Sequence, residues 1–124
     1  MAVAQEPFDD VLKNFCESID EFRTVALISS DGLLISNYSK LSSDEDNITA
    51  MVASFHHLTE TTLKEFNGAH SREVVITSDG GILIMLNIRE IEMVLYIYAV
   101  DTLKLGYLIY EAREFRKSLI RTFE

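Results

Sequence analysis

The chain has 124 residues, 48% of them hydrophobic and 25% charged, which suits one globular domain over residues 1–124 and leaves too little length for a second core. Acidic side chains number 20 against 11 basic ones, and the net charge of −9 disfavours nucleic acid and anionic membrane as partners. The apolar runs are far shorter than the roughly 20 residues that cross a bilayer, and residues 1–7 lack a signal-peptide pattern. We therefore expect a cytoplasmic protein with protein partners.

The first predicted element is an amphipathic helix over residues 7–22. Proline suits a first helical turn, so Pro7 marks its start. Cys16 is the single cysteine of the chain and lies beside the apolar stripe. Because no cation or histidine nearby would activate the thiol, we interpret it as a buried structural residue. The stripe consists of Phe8, Val11, Leu12, Phe15, Ile19 and Phe22.

Two β-prone runs, residues 24–29 and 33–37, follow and predict the first two strands. They are joined through Asp31 and Gly32, a pair typical of hairpin turns because both residues tolerate positive φ angles. Residues 25–28 are apolar at every position rather than at alternate ones. Both faces of the sheet should therefore be covered by helices.

Residues 42–67 predict the longest helix. Its end is marked by the pair Asn67 and Gly68, which is typical of helix C-termini. The candidates for its N-cap are Ser42, Ser43 and Asp44. Apolar and threonine side chains recur at three- and four-residue steps and predict a side that faces the core. That side comprises Ile48, Met51, Val52, Phe55, Leu58, Thr59, Thr62, Leu63 and Phe66.

The opposite side of this helix is unusual because it is small and uncharged. Within residues 47–63 only Glu60 carries a full charge, where average composition would give roughly four charged residues. The small side chains are Ala50, Ala53, Ser54, His57 and Thr61. We hypothesise that this side packs against a second subunit.

The second half of the chain predicts three strands, at residues 72–78, 81–87 and 93–100. Short connections at 79–81 and 88–92 indicate a meander. The first of these strands has no proline or lysine to discourage pairing with another chain, so it is a candidate edge for dimerisation. The residues of that edge are Glu73, Val74, Val75, Ile76 and Thr77.

A last helix is predicted from the capping residues 101–102 to Phe123. Its sheet-facing residues are Leu105, Leu108, Ala112, Phe115, Leu119 and Phe123. Arg113, Lys117 and Arg121 line another side. Either these cations oppose the helix dipole in solvent, or they contact an acidic partner.

The elements run in the order α-β-β-α-β-β-β-α. This order predicts an α/β sandwich of the α+β class, with a five-stranded, mainly antiparallel sheet. Because three helices must share two faces, the simplest division places the first and last helices on one face. The long helix then lies alone on the other.

No constellation of residues indicates catalysis. The glycine turns at residues 31–32 and 79–81 do not extend into a phosphate-binding fingerprint. His56 and His57 project about 100° apart on a helix, which cannot place both imidazoles on one metal ion, and His70 has no evident partner. We expect a non-enzymatic protein with no cofactor and no metal.

The sequence resembles the Roadblock and dynein light-chain domain, especially its prokaryotic members. The resemblance rests on VALISSDGLLIS at residues 25–36, the long helix with its small residues, and VVITSDGGILI at residues 74–84. The Leu105-Gly106 pair that opens the last helix fits the same pattern. A charged Arg-Glu-Ile-Glu stands at residues 89–92, where many members of the family have a glycine-rich turn.

The resemblance implies a homodimer in which the long helix pairs with its counterpart and the third strands join the two sheets. It also implies a scaffold or activating platform for a small Ras-like GTPase that docks across the paired helices, with no cofactor and no catalytic arginine. From face and spacing, the expected dimer contacts are Ala50, Ala53, Ser54, His57, Thr61, Lys64, Glu73, Val74, Val75, Ile76 and Thr77.

Two other functions remain open from the sequence. The chain can serve as a structural adaptor subunit of a larger cytosolic complex. A small-molecule sensor is the third alternative. The continuous large apolar residues of the strands disfavour a sensor because they leave little room for a polar cavity.

Overall fold

The computed structural model describes residues 6–42, 44–100 and 102–123, which form three helices and five strands in the predicted order. Two 3₁₀ turns, Arg89–Ile91 and Thr102–Lys104, precede the last strand and the last helix. The helices are α1 (Glu6–Ser18), α2 (Glu45–Glu65) and α3 (Leu105–Phe123). The strands are β1 (Phe22–Ser29), β2 (Leu34–Ser39), β3 (Glu73–Thr77), β4 (Ile82–Ile88) and β5 (Met93–Ala99).

The five strands form one antiparallel sheet in the order β2-β1-β5-β4-β3. The first and last strands of the chain are therefore neighbours, with Ala26 of β1 opposite Tyr96 of β5. β3 and β4 form a hairpin in which Val75 lies opposite Ile84. This order leaves β2 and β3 at the two edges of the sheet.

Helices cover both faces of the sheet, as the sequence predicts. α1 and α3 share one face, where Phe15 stacks on Phe115 with ring centroids 3.9 Å apart. α2 covers the other face, where Val52 packs with Tyr96. Cys16 is buried in the core under α1 and α3, and burial raises the pKa of its thiol. Its predicted structural role is consistent with that position.

The prediction that the first helix reaches residue 22 is wrong. α1 ends at Ser18, and Phe22 begins β1 after a tight turn in which its backbone N–H donates to the Ile19 carbonyl at 3.1 Å. The Phe22 side chain is buried all the same. Periodicity misplaced the boundary because an apolar residue can enter the same core from a strand or from a helix.

The first hairpin turn also differs from the prediction. Gly32 has a φ of 95°, but Asp31 is not among the residues with positive φ. Hydrogen bonds from Gly32 N to the Ser29 carbonyl and from Ser29 N to the Leu33 carbonyl, each 2.9 Å long, close the turn. Only Gly32 therefore needs the left-handed region that glycine favours.

Both ends of α2 carry the signals that the sequence predicts. Among the three N-cap candidates, Asp44 caps the helix, since its Oδ1 accepts a hydrogen bond from Asn47 N at 3.1 Å. At the other end, Asn67 adopts the left-handed conformation with a φ of 56°. Ser43, and Asp101 before α3, lie outside the described residues.

The predicted core face of α2 is right only in part. Val52 is buried, whereas Met51 is 57% exposed and Phe66 is 78% exposed. The residues predicted to face the core but found exposed are Met51, Phe55, Leu58, Thr62 and Phe66. Apolar residues occupy much of the circumference of this helix, and the sheet covers only one side. The sequence pattern alone therefore did not determine which of them are buried.

Candidate partner-binding surface

The solvent side of α2 presents an apolar surface. Met51, Phe55 and Leu58 lie there at spacings of three and four, so they form one stripe along the helix. Ala50 and Ser54 line a shallow groove of about 400 Å³ together with that stripe. We call this exposed side of α2 the outer face. Its members are Ala50, Met51, Ser54, Phe55, His57, Leu58, Thr61 and Thr62.

The outer face carries no formal charge. Glu60, the one fully charged residue within residues 47–63, turns toward the sheet, and only 16% of its side chain is exposed. Exposed sides of helices in soluble proteins normally carry charged residues, and a contiguous exposed apolar patch marks an interaction site. The outer face is therefore the best candidate for contact with a partner.

A buried hydroxyl fixes the N-terminal half of α2 to the sheet. Tyr96 Oη of β5 donates to Glu45 Oε2 at 2.9 Å and lies 3.4 Å from Thr49 Oγ1. Burial raises the pKa of Tyr96 well above its usual range, because the phenolate would lose its hydration. The hydroxyl thus stays neutral and keeps the proton that it donates.

Glu60 fixes the C-terminal half of α2. Its Oε1 accepts a hydrogen bond from Asn87 Nδ2 of β4 at 3.1 Å, and its Oε2 lies 3.2 Å from His70 Nδ1. His56 Nε2 lies 3.9 Å from Oε1, and the Ser71 backbone N–H donates to Oε1 at 3.4 Å. These contacts and the Tyr96 contacts hold the outer face away from the sheet.

The expectation that His70 lacks a partner is wrong, since the Glu60 carboxylate is that partner. The sequence did contain a signal. Glu60 is the single full charge in an otherwise uncharged stretch of helix, and a lone charge on a packed helix needs hydrogen-bond partners. Its partners His70 and Asn87 lie 10 and 27 residues further along the chain. Sequence periodicity relates only residues within the same helix or strand, so it could not identify them.

The predicted dimer contacts on α2 do not all lie on the outer face. Five of them are exposed, namely Ala50, Ser54, His57, Thr61 and Lys64. Ala53 is instead half-buried and packs against the core beneath α2. It follows the buried Val52 by about 100° around the helix, which places it at the boundary between the two sides. The prediction that Ala53 belongs to the outer face is wrong.

β3 provides an open edge in the segment that follows α2. Val74 lies opposite Met85 of β4, and the other side of β3 pairs with none of the described residues. The observed strand agrees with the predicted one to within one residue at each end. Its members are Glu73, Val74, Val75, Ile76 and Thr77. The free N–H and C=O groups of such an edge can pair with a strand from another chain.

An ion pair ties the start of β3 to α3. Arg113 Nε donates to both carboxylate oxygens of Glu73, at 3.1 and 3.0 Å, and a second guanidinium nitrogen donates as well. These bonds hold the pKa of Glu73 below its usual range. Of the three cations predicted on one side of α3, Arg113 thus has an intramolecular partner in Glu73. Lys117 pairs with Glu114 at 2.9 Å, and Arg121 is exposed.

Within residues 6–42, 44–100 and 102–123, no three His, Cys, Asp or Glu side chains come together as a possible metal site. Over the same ranges, no helix combines the length and the apolar character that crossing a bilayer requires. The outer face instead offers apolar area to a partner, and the β3 edge offers unpaired backbone N–H and C=O groups.

The family model of the Roadblock/LC7 domain matches residues 8–99. The match covers about three quarters of the chain, and the chain belongs to the Roadblock/LC7 domain family. No match was found among curated proteins. The sequence-based assignment to this family is confirmed, and so is the predicted sandwich of three helices and a five-stranded antiparallel sheet.

Solved structures with the same fold include proteins from three bacteria. A Roadblock/LC7 domain from Streptomyces avermitilis is 24% identical, with a TM-score of 0.74, and the alignment covers 90% of this chain and 92% of that one. MglB of Myxococcus xanthus is 15% identical, with a TM-score of 0.86 and coverage of 96% and 89%. The gliding protein MglB of Thermus thermophilus is 19% identical, with a TM-score of 0.76 and coverage of 90% and 84%.

Proposed function

We propose that this protein is a cytoplasmic, non-enzymatic regulator of a small Ras-like GTPase and that it acts as a homodimer. The observation that carries the proposal is the uncharged apolar outer face of α2, presented together with the open β3 edge. Membership of the Roadblock/LC7 family supports it, because resemblance to the prokaryotic members implies a platform for Ras-like GTPases. The solved MglB structures support the fold of such a regulator.

In the proposed dimer, α2 of one copy packs on α2 of the other. The small side chains of Ala50 and Ser54 allow close approach of the helices, and the apolar stripe supplies burial worth roughly 25 cal/mol per Å² removed from water. Pairing of the two β3 edges continues the sheet across both copies. The proposed contacts are Ala50, Met51, Ser54, Phe55, His57, Leu58, Thr61 and Lys64 of α2 with Glu73, Val74, Val75, Ile76 and Thr77 of β3.

Leu58→Asp tests the dimer. A carboxylate at this exposed position is tolerated in the monomer but is trapped without a partner in the proposed contact, so we expect the mass measured by light scattering to fall from dimer to monomer. Leu103→Asp is the matched control, because Leu103 is 95% exposed and lies outside α2 and β3. If the Leu58→Asp variant and the Phe55→Asp variant both remain dimeric, the outer face is not part of the interface.

Single-turnover GTP hydrolysis tests the regulatory role. The reaction uses a purified small Ras-like GTPase from the same organism, with and without the purified protein. We expect the wild-type protein to change the hydrolysis rate or to form a complex that comigrates in gel filtration, and Leu58→Asp to lose the effect together with the dimer. An unchanged rate without a complex would contradict GTPase regulation.

A structural adaptor role is the second candidate. The open β3 edge favours it, since strand addition is a common way for an adaptor to hold an extended segment of another protein. Affinity capture followed by identification of the partners separates the two roles. Partners that are not GTPases, bound by the wild type and lost on disruption of the β3 edge by Val75→Pro, would favour the adaptor role.

A further inference from the structure

A large groove lies away from the outer face, between the loop that follows α2, the 3₁₀ turn Arg89–Ile91 and the C-terminal half of α3. Its volume is about 800 Å³, near the upper end of the range typical of ligand sites. The charged and amide side chains that line it are Arg72, Asn87, Arg89, Glu90, Arg116 and Lys117.

The groove concentrates positive charge in an acidic protein. Four of the 11 lysines and arginines of the chain line it, against the single carboxylate of Glu90, while the chain as a whole carries −9. Three of the four cations are arginines, whose planar guanidinium forks bind carboxylates through two parallel hydrogen bonds. The charge and the donor geometry both favour an anionic ligand.

The cations of the groove remain available for such a ligand. The side chains of Arg72 and Arg89 make no hydrogen bond or ion pair with any residue in the described part of the chain. Arg116 uses one guanidinium nitrogen for the Arg72 carbonyl at 3.3 Å, which leaves its other donors free. Lys117 pairs with Glu114, but its side chain is 60% exposed, and exposed pairs of this kind are weak.

The arrangement does not suit one compact anion. Arg116 and Lys117 are consecutive on α3 and therefore project about 100° apart, which spreads their charges across the groove. Arg72 and Arg89 reach the groove from two other segments. A ligand that engages all four needs several anionic groups distributed along its length.

The surroundings also limit the kind of ligand. No Phe, Tyr or Trp lines the groove, so bases of a nucleic acid have no ring to stack on. The net charge of −9 repels an extended anionic surface such as a membrane or a duplex. A short segment senses mainly the charges within a Debye length, about 8 Å at physiological salt, and hence the local cations.

We propose that this groove binds an acidic peptide segment of a partner protein, with successive Asp or Glu side chains engaging Arg72, Arg89, Arg116 and Lys117. This surface is separate from the outer face and does not depend on the proposed regulation of a GTPase. The sequence allowed two interpretations of the cations on α3, and this proposal adopts the second, contact with an acidic partner. The α3 residues that make the contact are then Arg116 and Lys117.

Fluorescence anisotropy with a labelled oligo-glutamate peptide and the full chain tests the proposal. We expect saturable binding that weakens as salt is raised. Arg89→Glu and Lys117→Glu should each lower the affinity on the order of tenfold, the effect of losing one charge-assisted hydrogen bond. Lys13→Glu, an exposed change of the same charge on α1 beside Tyr38 of the opposite edge strand β2, should leave the affinity unchanged.

Three outcomes would overturn the proposal. The first is equal weakening by Lys13→Glu, which would mean that only net charge matters. The second is equal binding of an oligo-glutamine peptide, or no binding of oligo-glutamate at all. The third is displacement of the peptide by an equal concentration of inorganic phosphate, which would indicate a simple anion site. Circular dichroism of each variant, with Arg89→Gln and Lys117→Gln as milder changes, separates lost binding from lost fold.

Discussion

The Glu60 carboxylate accepts a hydrogen bond from the Asn87 side-chain amide at 3.1 Å, which joins α2 to β4. The same carboxylate contacts His70 and the backbone of Ser71 in the loop that leads to β3. One residue thus positions the C-terminal half of α2 relative to both the sheet and the open edge. Glu60 therefore fixes the position of the outer face relative to the β3 edge, which are the two parts of the proposed dimer interface.

Glu60→Ala should lower the free energy of unfolding by about 1–3 kcal/mol. The loss follows from leaving the Ser71 N–H and one N–H of the partly buried Asn87 amide without their acceptor, while the amide keeps its 3.0 Å hydrogen bond to the Ser71 carbonyl. Urea denaturation at a fixed protein concentration measures it, since dimer stability depends on concentration. Glu65→Ala, an exposed change in the last turn of α2, is the control and should stay within about 0.5 kcal/mol of the wild type.

Asp44→Ala should lower the free energy of unfolding by about 1 kcal/mol. The substitution removes the acceptor of the 3.1 Å hydrogen bond from Asn47 N and leaves an N–H of the first turn of α2 without a partner. Asp44→Asn keeps an acceptor at the cap and should recover most of the loss in thermal or urea melts. If Asn and Ala at this position were equally destabilising, capping would not be the cause.

The pairing of Glu73 with Arg113 should make stability depend on pH in the acid range. The hydrogen bonds from Arg113 lower the pKa of Glu73 in the folded state from an ordinary value of 4.5. The pair therefore contributes its full stabilisation above pH 4.5, and that contribution disappears as the pH falls through the lower folded value.

Urea midpoints of the wild type and of Glu73→Gln, compared from neutral pH downward, check this dependence. The difference between the two proteins should be largest at neutral pH and should shrink below pH 4.5. Glu65→Gln, which removes an exposed carboxylate, serves as the reference for nonspecific charge effects. A difference for Glu73→Gln that stays constant across the whole range would contradict the role assigned to the pair.

Two glycines should respond to alanine in opposite directions. A Cβ on Gly81 would lie 2.5 Å from the Ala99 carbonyl oxygen and 2.6 Å from Tyr98 Oη, so Gly81→Ala must displace backbone and should cost about 1–3 kcal/mol. Gly106, in the first turn of α3, has no neighbouring atom among the described residues within 4 Å of such a Cβ. Gly106→Ala should therefore raise stability by up to about 1 kcal/mol. Thermal melts of the two variants measure both effects, and a destabilised Gly106→Ala would contradict this reasoning.

The sequence by itself determined the order of the elements, the family and the presence of a long helix whose residues 47–63 carry no full charge except Glu60. These depend on local patterns, such as the apolar run at residues 25–28 and the cap at Asp44, which are written in neighbouring positions. The division of the helices between the two faces of the sheet followed from counting elements. The end of α1 was misplaced because Phe22 is apolar in either kind of element.

Only the tertiary structure decided which apolar residues of α2 face solvent. Met51, Phe55 and Leu58 are as apolar as Val52, and the choice between them rests on how the sheet and the contacts of Tyr96 and Glu60 orient the helix. The groove lined by Arg72, Arg89, Arg116 and Lys117 likewise depends on the tertiary structure, because its side chains come from segments far apart in the chain. Such surfaces depend on distances between remote residues, and these distances exist only once the chain has folded.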